Sequence, residues 1–348
     1  MGMLCCLIHV GLAVAQARYT PAEDKTDLKI GFTRYTTRDR FDRTITFYLS
    51  KTDRTGKLPL VLMIQGSGPQ SIWIPKDGKV YGGVQNLLAN IAKGRARVVA
   101  VEKPGVDFCY QPPQPGVAEG GPKEFLEEHT LERWAEANRS ALLATLKLAD
   151  IARDKVLVIG HSEGGLVAAT VAASTPTVTH VANMAGGGPS QLFDFTVHMS
   201  ADQVYGEWDK VMADPMSTTK FLWGHPYRRW STFCATSCVE QLSKFKGRIY
   251  AVQGTEDKNE PVEAFDILVA ELRARGNDLT ALRLSGADHA FSTDGGKSIG
   301  FPDQFGKILD WFFETPPAKA KSSATSQTAM RPNDTLCAQG STTTKRPE

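Results

Sequence analysis

Five short apolar runs recur along the middle of the chain: Leu60–Ile64, Val98–Val101, Val156–Ile159, Val181–Met184 and Ile249–Val252, with a weaker one at Leu279–Leu284. They do not alternate apolar with polar residues, so each predicts a strand covered on both faces, as in a parallel sheet. Parallel neighbours need crossovers, and the segments between the runs carry helical periodicity. Helices are expected over Val84–Ala92, Leu131–Ile151 and Leu166–Ala173, over a segment opened by Pro261 and closed by Gly276, and over Phe305–Phe313. Ile45, Phe47 and Leu49 instead alternate with Thr44, Thr46 and Tyr48, the period of a half-buried antiparallel strand, and the run from Leu28 to Tyr35 is its expected partner. The class is therefore α/β: a mainly parallel sheet flanked by helices and led by two antiparallel strands.

Two regions break this rhythm. Residues from about 187 to 246 separate two strands by far more chain than one helix needs, and they hold Tyr205, Trp208, Phe221, Trp223, Tyr227 and Trp230. An insertion of that length and composition predicts a cap over a functional site, or a small subdomain with its own core. From about 315 to 348 the chain is rich in Ser, Thr, Pro, Ala and Lys and has no aromatics, which predicts a disordered tail. At the other end, Leu4 to Ala15 is almost wholly apolar and finishes in Ala13-Val14-Ala15. That stretch is too short for a membrane span and suits a signal peptide over 1–17, cleaved after Ala15 or Ala17, so the expected location is secreted or periplasmic. Export would leave Cys109, Cys234, Cys238 and Cys337 in an oxidising compartment, where Cys234 and Cys238 are close enough for a local disulfide if the backbone turns there. No second Cys or His pair sits at ligand spacing to join Cys234 and Cys238, so a metal site is not expected. A net charge of +2 without a long basic run gives no support to a nucleic-acid partner.

The chemistry concentrates at "VLVIGHSEGG", residues 156–165. Gly160, Ser162 and Gly164 form a G-x-S-x-G pentapeptide with an expected strand before it and a small-residue helix after it. Such a strand–turn–helix elbow lifts a serine hydroxyl above the sheet, and bulky residues at 160 or 164 would clash. A serine needs a base, and the base a carboxylate, in the order Ser, Asp or Glu, His. His289 in "LSGADHAFS" follows the last strand at its carboxyl end, whereas His180 starts a strand and His198 and His225 fall in the insertion. The carboxylate is expected in "YAVQGTEDKNEP", with Asp257 preferred over Glu256. Two amides would hold an oxyanion: that of Glu163, at a helix N-terminus, and that of Ser67 in "QGSGPQS", where Gly66 and Gly68 permit close approach.

The segments "IQGSGP", "VEKPG", "GHSEGG", "GTED" and "GADHAF" occur in the order seen in the α/β-hydrolase superfamily. The chain resembles its secreted bacterial esterases and peptidase-like members with G-S-G-P and G-H-S-E-G-G motifs, over roughly residues 28 to 314. It departs from them at Gln65, where many members have histidine, and after Pro69, where no acidic–arginine pair follows. The resemblance implies an eight-stranded α/β-hydrolase fold, a Ser162–Asp257–His289 triad and acyl transfer without a cofactor. The expected activity is hydrolysis of small-molecule carboxylic esters. The alternative is amide or peptide cleavage on the same triad, with Glu207 or Glu240 of the insertion pairing a substrate amine. A non-catalytic binding module of this fold would lack a triad member, and all three are present.

Overall fold

The computed structural model describes residues 19–314; the expected signal segment and tail lie outside the described residues. In chain order the strands are β1 (Ala22–Glu23), β2 (Phe32–Arg38), β3 (Thr44–Ser50), β4 (Leu58–Ile64), the hairpin of β5 (Trp73–Lys76) and β6 (Lys79–Gly82), β7 (Arg97–Val101), β8 (Ile151–His161), β9 (His180–Met184), the hairpin of β10 (Phe221–Leu222) and β11 (His225–Pro226), β12 (Arg248–Gly254) and β13 (Leu279–Leu284). The helices are α1 (Val84–Ala92), α2 (Lys123–Glu128), α3 (Leu131–Thr145), α4 (Glu163–Ser174), α5 (Gln191–His198), α6 (Ala201–Ala213), α7 (Tyr227–Phe233), α8 (Cys238–Lys244), α9 (Val262–Ala274) and α10 (Phe301–Phe313).

The central sheet has the order β1-β2-β3-β7-β4-β8-β9-β12-β13. Pairing is antiparallel from β1 to β7 and parallel from β7 to β13. It holds nine strands where eight were expected. The addition is β1, which pairs Ala22 and Glu23 with Thr36 and Tyr35 and has no apolar run to announce it. The helix expected over Leu131–Ile151 stops at Thr145, because Ile151 pairs with Leu58 and opens β8 instead.

Successive residues of the buried strands feed opposite faces. Leu60, Leu62 and Ile64 of β4 join a core with α3, α4, α8 and α9, while Val61 and Met63 join one with α1 and α10. Both faces are covered, which is why the strands read as unbroken apolar runs.

The insertion folds into α5 to α8 and the β10–β11 hairpin. Ser190, Ser200 and Ser237 cap α5, α6 and α8, each accepting a bond from a first-turn amide. Val211, Trp230 and Cys234 form a small core of its own, and α8 packs into the main core. Cys234 and Cys238 are not bridged: Cys234 packs in that small core, and Cys238 Sγ donates to Gly186 O at 3.0 Å. Among the described residues no helix is long and apolar enough to cross a membrane, and no group of three or more His, Cys, Asp or Glu could hold a metal ion.

Candidate active site

Ser162 sits between β8 and α4 at φ 56, ψ −131, the strained conformation of a sharp strand-to-helix turn. Its amide donates to Met184 O at 3.0 Å, and its carbonyl accepts from Gly165 N at 2.8 Å. The turn is tight enough that a Cβ on Gly160 would overlap the Gly164 carbonyl, and one on Gly164 would lie 2.8 Å from Gln65 O. Glu163 begins α4, so its N–H has no acceptor within the helix.

His289 reaches the same edge from the loop after β13. Its Nδ1 lies 2.8 Å from Asp257 Oδ2. Asp257 is fully buried and also accepts from Gln253 Nε2 (2.9 Å), Asn259 N (2.8 Å) and Glu260 N (3.0 Å). Burial opposes its charge, but His289 and the two amides outweigh it and hold the carboxyl below the usual aspartate range. An ionised carboxylate only accepts, so Nδ1 of His289 carries the proton and Nε2 is left as a base. His161 steadies this loop from behind: its Nε2 donates to His289 O at 2.9 Å, and burial keeps its ring neutral, with a pKa lowered to about 4. Asp288, the sequence neighbour of His289, caps its own loop by accepting from Ala290 N and Ser292 N.

Ser162 and His289 border one cavity of about 680 Å³ without a direct hydrogen bond between them. Gly66 and Ser67 form part of its wall. A Cβ on Gly66 would lie 3.3 Å from Ser162 Cβ, so this loop passes close against the serine. Other walls are largely apolar, among them Ile72, Ile74, Val84, Phe195, Trp223 and Trp230. The insertion's aromatics thus divide: Trp208 and Tyr227 serve its small core, Trp223 lines the cavity, and Trp230 does both. Glu256 is exposed and pairs with Lys258, whereas His289 is bonded to Asp257. Glu207 and Glu240 pair with Lys210 and Lys244, each at 2.8 Å, and neither borders the cavity.

The side chain of Glu163 was not anticipated. It is buried at the centre of a charged cluster: Oε1 meets His129 Nε2 (3.0 Å) and Lys103 Nζ (3.3 Å), and Oε2 meets Arg229 Nε (3.2 Å) and Nη2 (3.0 Å). Burial raises its pKa, but these three partners prevail and keep it well below the usual range. His129 stays neutral, lowered to about 4 by burial. Lys103, also fully buried, donates to Gly66 O (2.6 Å) and Gly68 O (2.9 Å) as well. One ammonium therefore ties the G-S-G-P loop to the residue after the serine, and Arg229 ties that residue to α7 of the insertion. The lysine of "VEKPG" was the available signal.

The sequence matches the profile of the prolyl oligopeptidase family, a group of serine hydrolases, over residues 140–315, just over half of the chain. The chain belongs to the prolyl oligopeptidase family. As a member of it, it belongs to the α/β-hydrolase superfamily, and its mainly parallel sheet with flanking helices is that fold. No curated protein sequence matches it. Solved structures that it resembles include Pyrococcus horikoshii acylaminoacyl peptidase (TM-score 0.57, 14% identity, 81% of this chain and 41% of that one). Others are acetyl xylan esterase 1 from Thermoanaerobacterium (0.55, 17%, 84% and 87%) and Est1E from Butyrivibrio proteoclasticus (0.51, 13%, 81% and 98%). The family member thus spans about two fifths of the length of the archaeal peptidase. At these identities the likeness is one of fold, and it embraces peptidases and esterases alike.

Proposed function

We propose that this protein hydrolyses carboxylic esters through an acyl-enzyme formed on Ser162. The observation that carries the reading is the 2.8 Å Asp257–His289 bond, with Nε2 left bare on the cavity that a strained serine also borders. Ser162 Oγ attacks the carbonyl as His289 Nε2 takes its proton, and Asp257 holds the imidazole tautomer and stabilises the imidazolium. The amides of Glu163 and Ser67 receive the oxyanion. His289 then protonates the departing alcohol, and water repeats the sequence to free the acid.

Ester cleavage asks for only the groups already located. An amide has a far worse leaving group and needs the scissile bond held more firmly. Peptidase or amidase activity is the second reading, favoured by the family itself. Turnover of p-nitrophenyl acyl esters compared with aminoacyl-p-nitroanilides decides between them, and much faster anilide turnover would sink the ester reading. A phosphonate probe is expected to label Ser162, and Ser162→Ala to lose roughly 10⁴-fold or more in kcat while staying folded. Undiminished turnover by that variant would refute the mechanism. Export with cleavage after Ala15 or Ala17 belongs to the same proposal, and N-terminal sequencing of the mature protein tests it.

A further inference from the structure

Beside Ser162 a small recess adjoins the main cavity, and Ser162, Glu163, Gln191 and Glu260 border both. The recess also carries Asp194 from α5. Asp194 is 4% exposed and Glu260 8%, so two carboxylates are buried together. They converge over Gly187, where a Cβ would lie 3.1 Å from Glu260 Oε2 and 3.2 Å from Asp194 Oδ2. Asp194 Oδ1 and Glu260 Oε2 are buried without a donor group on either, and among the described residues neither carboxylate has a salt-bridge partner. Arg229 is near enough to influence Glu260, but its guanidinium is engaged by Glu163 and Gln191.

The neighbouring buried acids are treated differently. Glu163 meets a lysine, an arginine and a histidine, and Asp257 accepts four hydrogen bonds. Burial raises Asp194 to about 7 and Glu260 well above the usual range, with the Asp194 and Asp257 charges adding to the latter. At neutral pH the pair therefore holds at least one proton and carries at most one negative charge, and among the described residues no cationic side chain is bonded to either carboxylate. A buried charge held this way invites a cation from outside.

We propose that the recess binds a primary ammonium carried on the acyl part of the substrate, so that the enzyme selects cationic acyl groups. This rests on the acyl-transfer reading, which puts the acyl carbonyl at Ser162, on the rim of the recess. The recess measures about 10 Å³. That is room for roughly one water-sized group. That room matches a single ammonium better than a planar guanidinium. The ammonium can be an α-amino group or the end of a short ω-amino chain.

The test compares p-nitrophenyl glycyl and 4-aminobutyryl esters with their uncharged acetyl and butyryl counterparts, corrected for spontaneous hydrolysis. A 4-guanidinobutyryl ester completes the set. The wild type is expected to favour an ammonium ester over its neutral partner by about tenfold or more in kcat/KM. Preference for glycyl identifies an α-amino substrate, preference for 4-aminobutyryl an ω-amino one, and preference for the guanidino ester overturns the proposal. Asp194→Asn, close in shape to the protonated acid, and Glu260→Gln are expected to bring the ratio to about one, with melting curves confirming the fold. A second readout needs no turnover: calorimetric binding of n-propylammonium to Ser162→Ala, lost on adding Asp194→Asn. Ester turnover with no ammonium preference and no n-propylammonium binding overturns this proposal and leaves the esterase reading intact. Binding without turnover of any ester by the wild type overturns the esterase reading and leaves the recess.

Discussion

Ser162 holds a backbone conformation that costs a non-glycine residue about 1–3 kcal/mol. Ser162→Gly removes that cost, so it is expected to raise stability by about 1 kcal/mol in urea unfolding while abolishing turnover. Such an outcome would separate the serine's place in the fold from its place in the chemistry. The convergence of Ser162, Asp257 and His289 at one sheet edge was legible in the sequence because the pattern of a serine nucleophile fixes both the types of its expected partners and their order. Asp194 and Glu260 were not: two acids far apart in sequence form no pattern, and they meet only because Gly187 leaves room. Glu207 and Glu240 were expected in a comparable role, but each pairs with a lysine of its own helix. The carboxylate of Glu163 escaped notice because G-x-S-x-G leaves that position unconstrained.

Among elements, α7 and the loops after β4 and β7 meet at Glu163. Lys103→Met frees the carbonyls of Gly66 and Gly68, so the loop bearing Ser67 loses its clamp. We expect kcat for an acetyl ester to fall by about 10–100-fold, with a smaller change in KM, toward the size of losing one oxyanion donor. Arg229→Leu removes a buried partner of Glu163 and is expected to cost about 3–5 kcal/mol, read as a shifted urea midpoint. The buried strands and the helices between them were readable from their periods. The insertion's helices α5 to α8, the β5–β6 hairpin and the end of α3 were not. The β5–β6 hairpin is short and carries Pro75, yet its Asp77-Gly78 turn, with both residues at positive φ, is the signal that could have disclosed it. The helix over residues 131–145 was expected to run on to 151 because Leu146, Leu148 and Ile151 prolong its apolar spacing.

For the molecule as a whole, pH sets two opposing trends. His129 and His161 titrate near 4 when folded, against about 6.5 unfolded. Between those values the unfolded chain binds protons that the native one refuses, so stability rises with pH and the gain levels off above about 6.5. Burial raises Glu102 to about 8 and Asp194 to about 7, so the native state keeps protons that the unfolded chain releases above about 4. Their contribution falls as pH rises and is lost by about 8. Above about 6.5 the histidine gain fades while the acids go on losing, so Tm is expected to decline toward about pH 8, and Glu102→Gln to flatten that decline in a thermal series. The fold class was legible from the covered strands, but the strand order was not, since β7 reaches its place between β3 and β4 through pairings that composition does not encode. The quartet of Lys103, His129, Glu163 and Arg229 also bears on descent. Each member is costly to lose while the others remain, whereas replacing all of them by well-packed apolar side chains need not be. Such a group resists gradual substitution, so related chains should retain it entire or lack it entire, with few intermediates between.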